Sequence, residues 1–425
     1  MKLCLYLLLF LPFIVTAQST TGNPHYDFAE HIVRKNGNGK VHLNRDMTDL
    51  SIAGYYHESR IYEDSLYGPP SPVYLTLRNK KIQDAREFIL NEASKYRILL
   101  INEAHHKPQH RLFTKSLLQG LHGKGYNVFM AEGIKLKNGL ESRSYPVNTD
   151  GTLLNEPAYA SLIRYANKTG YTIHAYEYDA EKKGNLYWDD SIKLDQHGSV
   201  KYISYQPRDS MTLIFDEKGL KNTIMTSVRE SAQAENIVKV MKMHPGSKFI
   251  IHVGHGHLYE DGPMMGAKLR ALLKGEDVLT INQEFLTDRV PVIDTASHDT
   301  IRRDFDFVLQ DINTNLFFNN SIPVDYMVFN SQVHDSLGRP AFLLKDVEKR
   351  TVYNLPGKML KDCPCLFSAY YQDEYEKEGP QTIAVDVVFI KDVRRSAPLL
   401  LYQGKYIVIK KNKEGLYADL KLTIK

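Results

Sequence analysis

The chain has 425 residues, enough for about two or three domains. Its 54 basic and 50 acidic side chains leave a net charge of only +4, which argues against nucleic acid or an anionic membrane as the main partner. Three cysteines are too few for a disulfide scaffold, whereas 16 histidines and 27 tyrosines are an excess that raises the question of whether the histidines gather in one place.

The first residues have the pattern of a targeting segment. Lys2 precedes a mostly apolar run over residues 3–15, and small residues at 15–17 precede Gln18. This pattern predicts a signal peptide over residues 1–17 that is cleaved on export, so that the protein acts in the periplasm, at the cell surface or outside the cell. No later apolar run reaches about 18 residues, which predicts no transmembrane span after cleavage. Residues 18–80 are polar and Gly/Pro-rich in places, and are expected to form an irregular N-terminal extension.

From residue 81 the sequence alternates between helical and strand patterns. Helices are predicted at 81–95, 108–122, 157–167, 220–243 and 264–273, and strands at 97–102, 127–131, 171–176, 248–253 and 277–281. Pro108 suits a first helical turn, and Gly123 and Gly170 suit helix ends. The alternation predicts an α/β domain over residues 81–290, with a mostly parallel sheet and helices on both faces. A polar stretch at 181–215, which holds Trp188, is expected to be an insertion.

The remainder, residues 291–425, has a different pattern. Short β-rich runs occur at 326–329, 341–344, 383–390, 399–402, 406–409 and 416–424, with turn residues between the last of them. They predict a β-rich, mainly antiparallel C-terminal domain. We find no chemistry-bearing motif there, and interpret Cys363 and Cys365 as two local thiols.

Titratable side chains follow four of the predicted core strands. Because ligands of open parallel sheets bind outside the carboxyl ends of the strands, this placement predicts a functional site at one sheet edge. The residues are Glu103, His105 and His106 after the first strand, Glu132 after the second, Glu177 and Asp179 after the third, and His252, His255 and His257 in and after the fourth. The helix after the first strand adds His110 and Arg111 in its first turn, where an anion is favoured.

Three kinds of chemistry suit this set. A catalytic set of Glu103, His105, Glu132 and His257, assisted by Arg111, would use His105 as a general base oriented by a glutamate. Glu103, His105, His255 and His257 are also a normal ligand set for Zn, Mn or Fe, which would activate water. Alternatively, histidine or tyrosine would hold haem iron while Arg111 holds the propionates. The other pocket residues would be His106, His110, Glu177, Asp179 and His252, of which His252 is also a candidate core residue within its strand.

Residues 101–111, Ile-Asn-Glu-Ala-His-His-Lys-Pro-Gln-His-Arg, resemble the Gly-Glu-x-His-(Asp)-x-Pro-x-His segment of the ChaN-like haem-uptake proteins. Those proteins belong to a wider group with the erythromycin esterases and the TraB/Tiki proteins. Glu132 is similar to the glutamate at the group's second strand end, and residues 252–258 to its late Gly-x-x-His-Leu block. Asn102 and His106 depart from the usual glycine and aspartate.

The resemblance covers residues 81–290 and leaves more than one activity open. It implies an exported hydrolase that cleaves an ester or amide bond in a small molecule or peptide, with or without a divalent metal. Its alternative is a haem- or iron-binding uptake protein without turnover. Fold alone does not choose between these functions.

Overall fold

A computed structural model describes residues 21–37, 43–135, 139–178, 192–194, 200–202, 212–213, 217–274, 278–395, 397–415 and 417–425. The predicted signal peptide, Asp179 and Trp188 lie outside these residues. The helices are α1 (Ala29–Gly37), α2 (Leu43–Ile52), α3 (Tyr56–Tyr67), α4 (Ala85–Glu92), α5 (Pro108–His122), α6 (Pro157–Thr169), α7 (Glu217–Met243), α8 (Met265–Leu273), α9 (Gly357–Leu360) and α10 (Gln372–Glu378).

The strands fall into two large sheets and several short pairings. They are β1 (Val73–Leu75), β2 (Lys80–Asp84), β3 (Ile98–Glu103), β4 (Tyr126–Ala131), β5 (Thr172–Ala175), β6 (Ile192–Leu194), β7 (Val200–Tyr202), β8 (Thr212–Leu213), β9 (Lys248–Gly254), β10 (Val278–Asn282), β11 (Val292–Asp294), β12 (Phe307–Asp311), β13 (Tyr326–Met327), β14 (Asp335–Ser336), β15 (Arg339–Pro340), β16 (Thr351–Tyr353), β17 (Cys365–Tyr371), β18 (Asp386–Ile390), β19 (Leu399–Leu401), β20 (Gly404–Asn412) and β21 (Tyr417–Ile424).

The core is a six-stranded parallel sheet in the order β13-β10-β3-β9-β4-β5. β3 is buried along its whole length, as expected for a parallel strand covered on both faces. Helices α4, α5 and α6 pack on one face, and α7 and α8 on the other. The predicted α/β class is confirmed.

The helices of the core begin and end where local signals place them. α5 begins at Pro108, whose missing N–H costs nothing in a first turn, and α6 begins at Pro157 after Glu156, whose side chain accepts from the Tyr159 N–H. α6 ends before Gly170, which takes the left-handed conformation (φ 100°) that a side chain would disfavour.

Three predictions about local structure are wrong. The helix predicted at 81–95 begins only at Ala85, because β2 pairs antiparallel with β12 over the residues before it and Asp84 caps the helix. The strand predicted at 341–344 is a 3₁₀ helix. The run at 326–329 belongs to the parallel sheet instead of the C-terminal β structure, because β13 pairs in parallel with β10.

The expectation of an irregular extension over residues 18–80 is also wrong for its described part. Helices α1 to α3 occupy much of it, and its side chains Tyr26, Leu50 and Tyr55 are buried against Tyr370 and Ile407 of the C-terminal sheet. The apolar residues of this segment lie in short stretches between polar ones, and together they pack against that sheet.

The C-terminal sheet has the order β18-β17-β20-β21, and every pairing within it is antiparallel. This confirms the predicted β-rich region. Among the described residues, no helix has the length and apolar character needed to cross a membrane.

Candidate functional site

The order of the core strands brings the predicted residues together. β9 lies between β3 and β4, so Glu103 at the end of β3 stands level with Gly254 at the end of β9. Glu132 follows β4 and donates its backbone N–H to the carbonyl of His252. We call the group formed by Glu103, His105, Glu132, Arg229, His255 and His257 the strand-end site.

Glu103 and His105 form a carboxylate–imidazole pair. His105 Nδ1 lies 3.0 Å from Glu103 Oε1, which favours the tautomer that carries its proton on Nδ1 and leaves Nε2 as a base. Glu103 is buried, whereas the side chain of His105 is 20% exposed. Burial acts to raise the pKa of Glu103, but the Arg111 guanidinium and the His105 hydrogen bond outweigh it and hold that pKa well below its usual value.

Arg111 binds both members of this pair. Its Nε and Nη2 donate to Glu103, its Nη2 also reaches the carbonyl of His105, and its Nη1 donates to Glu156 Oε2 at 2.9 Å. Its guanidinium lies over the Tyr159 ring and its side chain has no exposed area. Arg111 therefore positions Glu103 and His105, and it is not accessible to substrate or to a haem propionate.

Glu156 is a buried partner of Arg111 that the sequence analysis missed. It is fully buried, caps α6 and also accepts from the Tyr56 hydroxyl at 3.0 Å. A carboxylate directly before a proline at a helix start was the available signal, but it indicates a cap and says nothing of the Arg111 partner.

Glu132 is the second buried carboxylate of the strand-end site. Arg229 Nη2 donates to its Oε1 at 2.6 Å, and the Gly254 N–H donates to its Oε2. Burial acts to raise the pKa of Glu132, but His257, His105 and Arg229 lower it to about 2. Glu132 is therefore ionised at neutral pH.

Arg229 reaches the strand-end site from α7. Its guanidinium makes a two-pronged contact with Glu177, at 3.0 and 2.8 Å, and its Nη1 lies 3.2 Å from His257 Nε2. Its side chain is 30% exposed. Because α7 is far from Glu132 along the chain, no local pattern predicts this contact.

Gly254 allows His105 and Glu132 to approach the end of β9. A Cβ on this residue would stand 2.3 Å from His105 Cε1, 2.9 Å from His105 Nε2 and 2.8 Å from Glu132 Oε2. His105 Nε2 and Glu132 Oε2 thus face the same small space. Any side chain at position 254 would have to displace one of them.

His257 and His255 each have a carboxylate partner that the sequence analysis missed. His257 Nδ1 lies 2.5 Å from Glu230 Oε1, and His255 Nδ1 lies 2.6 Å from Glu284 Oε1. Burial acts to lower the pKa of both imidazoles, but these carboxylates outweigh it and raise both. The His255 ring also packs edge to face on His105, with 4.7 Å between ring centroids.

The other predicted pocket histidines lie in the protein interior. His252 lies within β9 between Phe129 and Tyr159, and burial lowers its pKa to about 4. His110 is fully buried, and its Nδ1 accepts the Ala104 N–H, so it holds the β3–α5 loop. Burial lowers the pKa of His110 as well.

His106 points away from its neighbour His105. Its Nε2 lies 3.2 Å from Glu63 Oε1 on α3, and both residues line a separate cavity of about 430 Å³ between α3 and the C-terminal β structure. Lys107 Nζ lies 2.9 Å from Glu63 Oε2 in the same place. His106 therefore joins α3 to the core, and burial lowers its pKa. Glu177 reaches the strand-end site through Arg229, and Asp179 lies outside the described residues.

Two guanidinium groups lie beside the predicted metal-ligand set. Both oxygens of Glu103 accept from the buried guanidinium of Arg111, and the guanidinium of Arg229 lies against His257 Nε2, where it would repel a cation. Across the described ranges, no three His, Cys, Asp or Glu side chains are grouped as metal ligands. Metal binding by Glu103, His105, His255 and His257 stays a prediction, and we derive no chemical step from it.

No family model matches the sequence, and no curated protein matches it. Among solved structures, the chain is similar to one described as that of the type III effector HopBA1, with 12% sequence identity, 58% of this chain and 93% of that chain covered, and a TM-score of 0.35. Because that TM-score is low, the likeness carries no argument about fold or function. The strand-end site is therefore the evidence on which a function has to rest.

Proposed function

We propose that the chain is an exported hydrolase that cleaves an ester or amide bond in a small molecule or peptide, with His105 as the general base. The observation that carries this proposal is the Glu103–His105 pair, in which one buried carboxylate, fixed by Arg111, holds the partly exposed imidazole with Nε2 as its basic nitrogen. The spacing of Glu103 and His105 and the position of Glu132 also support membership of the ChaN/Tiki/erythromycin-esterase group.

In this mechanism, His105 Nε2 removes a proton from a water molecule while the water oxygen attacks the substrate carbonyl carbon. Glu103 stabilises the imidazolium that forms. Arg229, the partly exposed cation of the site, stabilises the negative charge that develops on the carbonyl oxygen. His105 then returns the proton to the departing oxygen or nitrogen, which completes hydrolysis with no net gain or loss of protons by the enzyme.

Glu132 and His257 have supporting roles in this scheme. Glu132 accepts a hydrogen bond from Arg229 Nη2 and so holds the guanidinium in place beside His105. His257 lies between Glu230 and Arg229 and orients the guanidinium. Every charge at the site thus has a neighbour that fixes its position, which is the arrangement that electrostatic catalysis requires.

The test is a panel of ester and amide substrates assayed on the wild-type chain and on His105→Ala. We expect kcat/KM to fall by about 10²–10⁴-fold, the contribution of a positioned general base. Glu103→Gln should lose much of the activity too, and the exposed His334→Ala is the matched control. Metal analysis of the purified chain, with assays before and after chelation, separates this route from a metal-assisted one. Equal activity of wild type and His105→Ala contradicts the proposal.

A further inference from the structure

Two histidines away from the strand-end site face each other with their nitrogen atoms in contact. His174 Nε2 lies 2.9 Å from His244 Nε2, and the two rings are 4.9 Å apart between centroids and inclined by 56°. We call His174 and His244 the imidazole pair. Both residues are partly exposed, so an ion in solution can reach them.

Each member of the imidazole pair lies on well-anchored backbone. His174 is on β5, in parallel register with Met130 of β4. His244 directly follows α7, in a turn closed by the Ser247 N–H donating to the His244 carbonyl. Arg97 donates to the carbonyls of Pro245 and Ser247, which fixes that turn to the core. The two rings are therefore presented by elements that cannot easily move apart.

The nitrogen–nitrogen distance restricts the kind of ion that the pair would hold. With a metal–nitrogen bond of about 2.0–2.1 Å, two nitrogens 2.9 Å apart subtend an angle of about 90° at the metal. That is the angle between neighbouring ligands in square-planar or tetragonal sites, which Cu²⁺ and Ni²⁺ prefer, and it is narrower than the tetrahedral angle of structural Zn²⁺. Imidazole also binds Cu²⁺ most strongly among the divalent first-row metals.

We propose that His174 and His244 form a two-imidazole site for a tetragonal divalent metal, with Cu²⁺ the best fit and water completing its coordination. In the metal-free chain, the Nε2–H of one ring donates to the Nε2 of the other. With His244 as that donor, its proton moves to its own Nδ1 on binding and both Nε2 lone pairs bind the ion, so each imidazole keeps one proton. The site uses none of the residues of the proposed hydrolytic reaction and does not depend on it.

The test is a titration of the full chain with Cu²⁺ alone, followed by calorimetry and by electron paramagnetic resonance. We expect nitrogen splittings from two imidazoles in the wild-type spectrum. In His174→Gln and in His244→Gln, the affinity for Cu²⁺ should fall by more than about 100-fold. Loss of a residue that only supports a metal ligand costs about 10–100-fold, so a larger fall indicates that a ligand itself has been removed. His334→Gln, an exposed histidine elsewhere, and His105→Ala should bind as the wild type does.

Circular dichroism of each variant shows whether it is folded. Because the two histidines are substituted separately, misfolding of one variant still leaves the other to test the site. A wild-type chain that binds no Cu²⁺, or that binds it equally after both substitutions, overturns the proposal. Loss of binding in His105→Ala alone would assign the ion to the strand-end site and would also overturn it.

Discussion

The ring of His105 lies directly against the α-carbon of Gly254, so closely that a methyl group on Gly254 would stand 2.3 Å from His105 Cε1. The backbone of Gly254 has no left-handed conformation to maintain, since its φ is −86°. Glycine is therefore required at position 254 because a side chain would not fit, and not because of its backbone conformation. The absence of a side chain at the end of β9 lets the proposed base, His105, take its position.

Gly254→Ala should thus reduce activity by moving His105 or Glu132. We expect kcat to fall by about 10²-fold, the loss that follows when a reacting group is misplaced by about 1 Å. Gly357→Ala is the matched control, because a Cβ there meets no atom within 4 Å. Steady-state kinetics on both variants, with thermal melting curves, check this. Full activity in a folded Gly254→Ala protein would show that His105 does not need its present position.

Arg111 neutralises two buried carboxylates, so its removal should destabilise the fold. Arg111→Met leaves Glu103 and Glu156 buried without their cation, which we expect to lower the free energy of unfolding by about 3–5 kcal/mol. Urea unfolding measures the change. Arg302→Met, which removes an exposed arginine paired with Asp304, should change the same quantity by about 1 kcal/mol or less. Similar losses in the two variants would contradict the buried role of Arg111.

Stability should depend on pH through His252. Its folded-state pKa is lowered to about 4 by burial, so between about pH 6.5 and pH 4 the unfolded chain binds a proton that the folded chain does not. Stability therefore falls as the pH decreases through that window, by roughly 3 kcal/mol from this residue. Urea unfolding of the wild type and of His252→Leu at several pH values checks this. The free energy of unfolding of the variant should depend less on pH than that of the wild type. An identical slope would mean that His252 is not held in its neutral form in the folded chain.

Haem binding is the alternative function that the sequence resemblance implies. His255 and His257 each have a carboxylate on Nδ1, Arg229 faces His257 Nε2, and Arg111 is inaccessible to propionates. We accordingly expect no shift in the Soret band when micromolar haem is added to the purified chain. A saturable Soret shift that is lost in His255→Ala or His105→Ala would instead support haem capture at the strand-end site.

Local sequence signals were sufficient for most of the core elements, with the start of α4 and the placement of β13 as exceptions. Pro108 and Gly123 mark the ends of α5 correctly, and the aliphatic run before Glu103 is a buried strand because both faces of the sheet are covered. The rule that polar residues gather at the carboxyl ends of parallel strands also placed Glu103, His105 and Glu132 together. These successes share one feature, since each depends on neighbours in sequence or on strand direction.

Local sequence signals could not predict which residues from distant parts of the chain contact the predicted site residues. Glu156, Arg229, Glu230 and Glu284 contact the predicted residues only because of how α6, α7 and the loop after β10 pack. The helices α1 to α3 were missed for a related reason. Their apolar side chains pack against the C-terminal sheet, which lies more than 300 residues further along the chain.

The packing of α1 to α3 on the C-terminal sheet has a consequence for how the protein is made. Tyr26 and Leu50 are among the first residues of the described chain to be synthesised, but their partners Tyr370 and Ile407 come about 340–360 residues later. At a synthesis rate of about 5–20 residues per second, this apolar surface stays uncovered for about 20–70 s. During that interval the nascent chain presents a surface for chaperones or for premature association, and its N-terminal helices reach their final place only when β20 has been made.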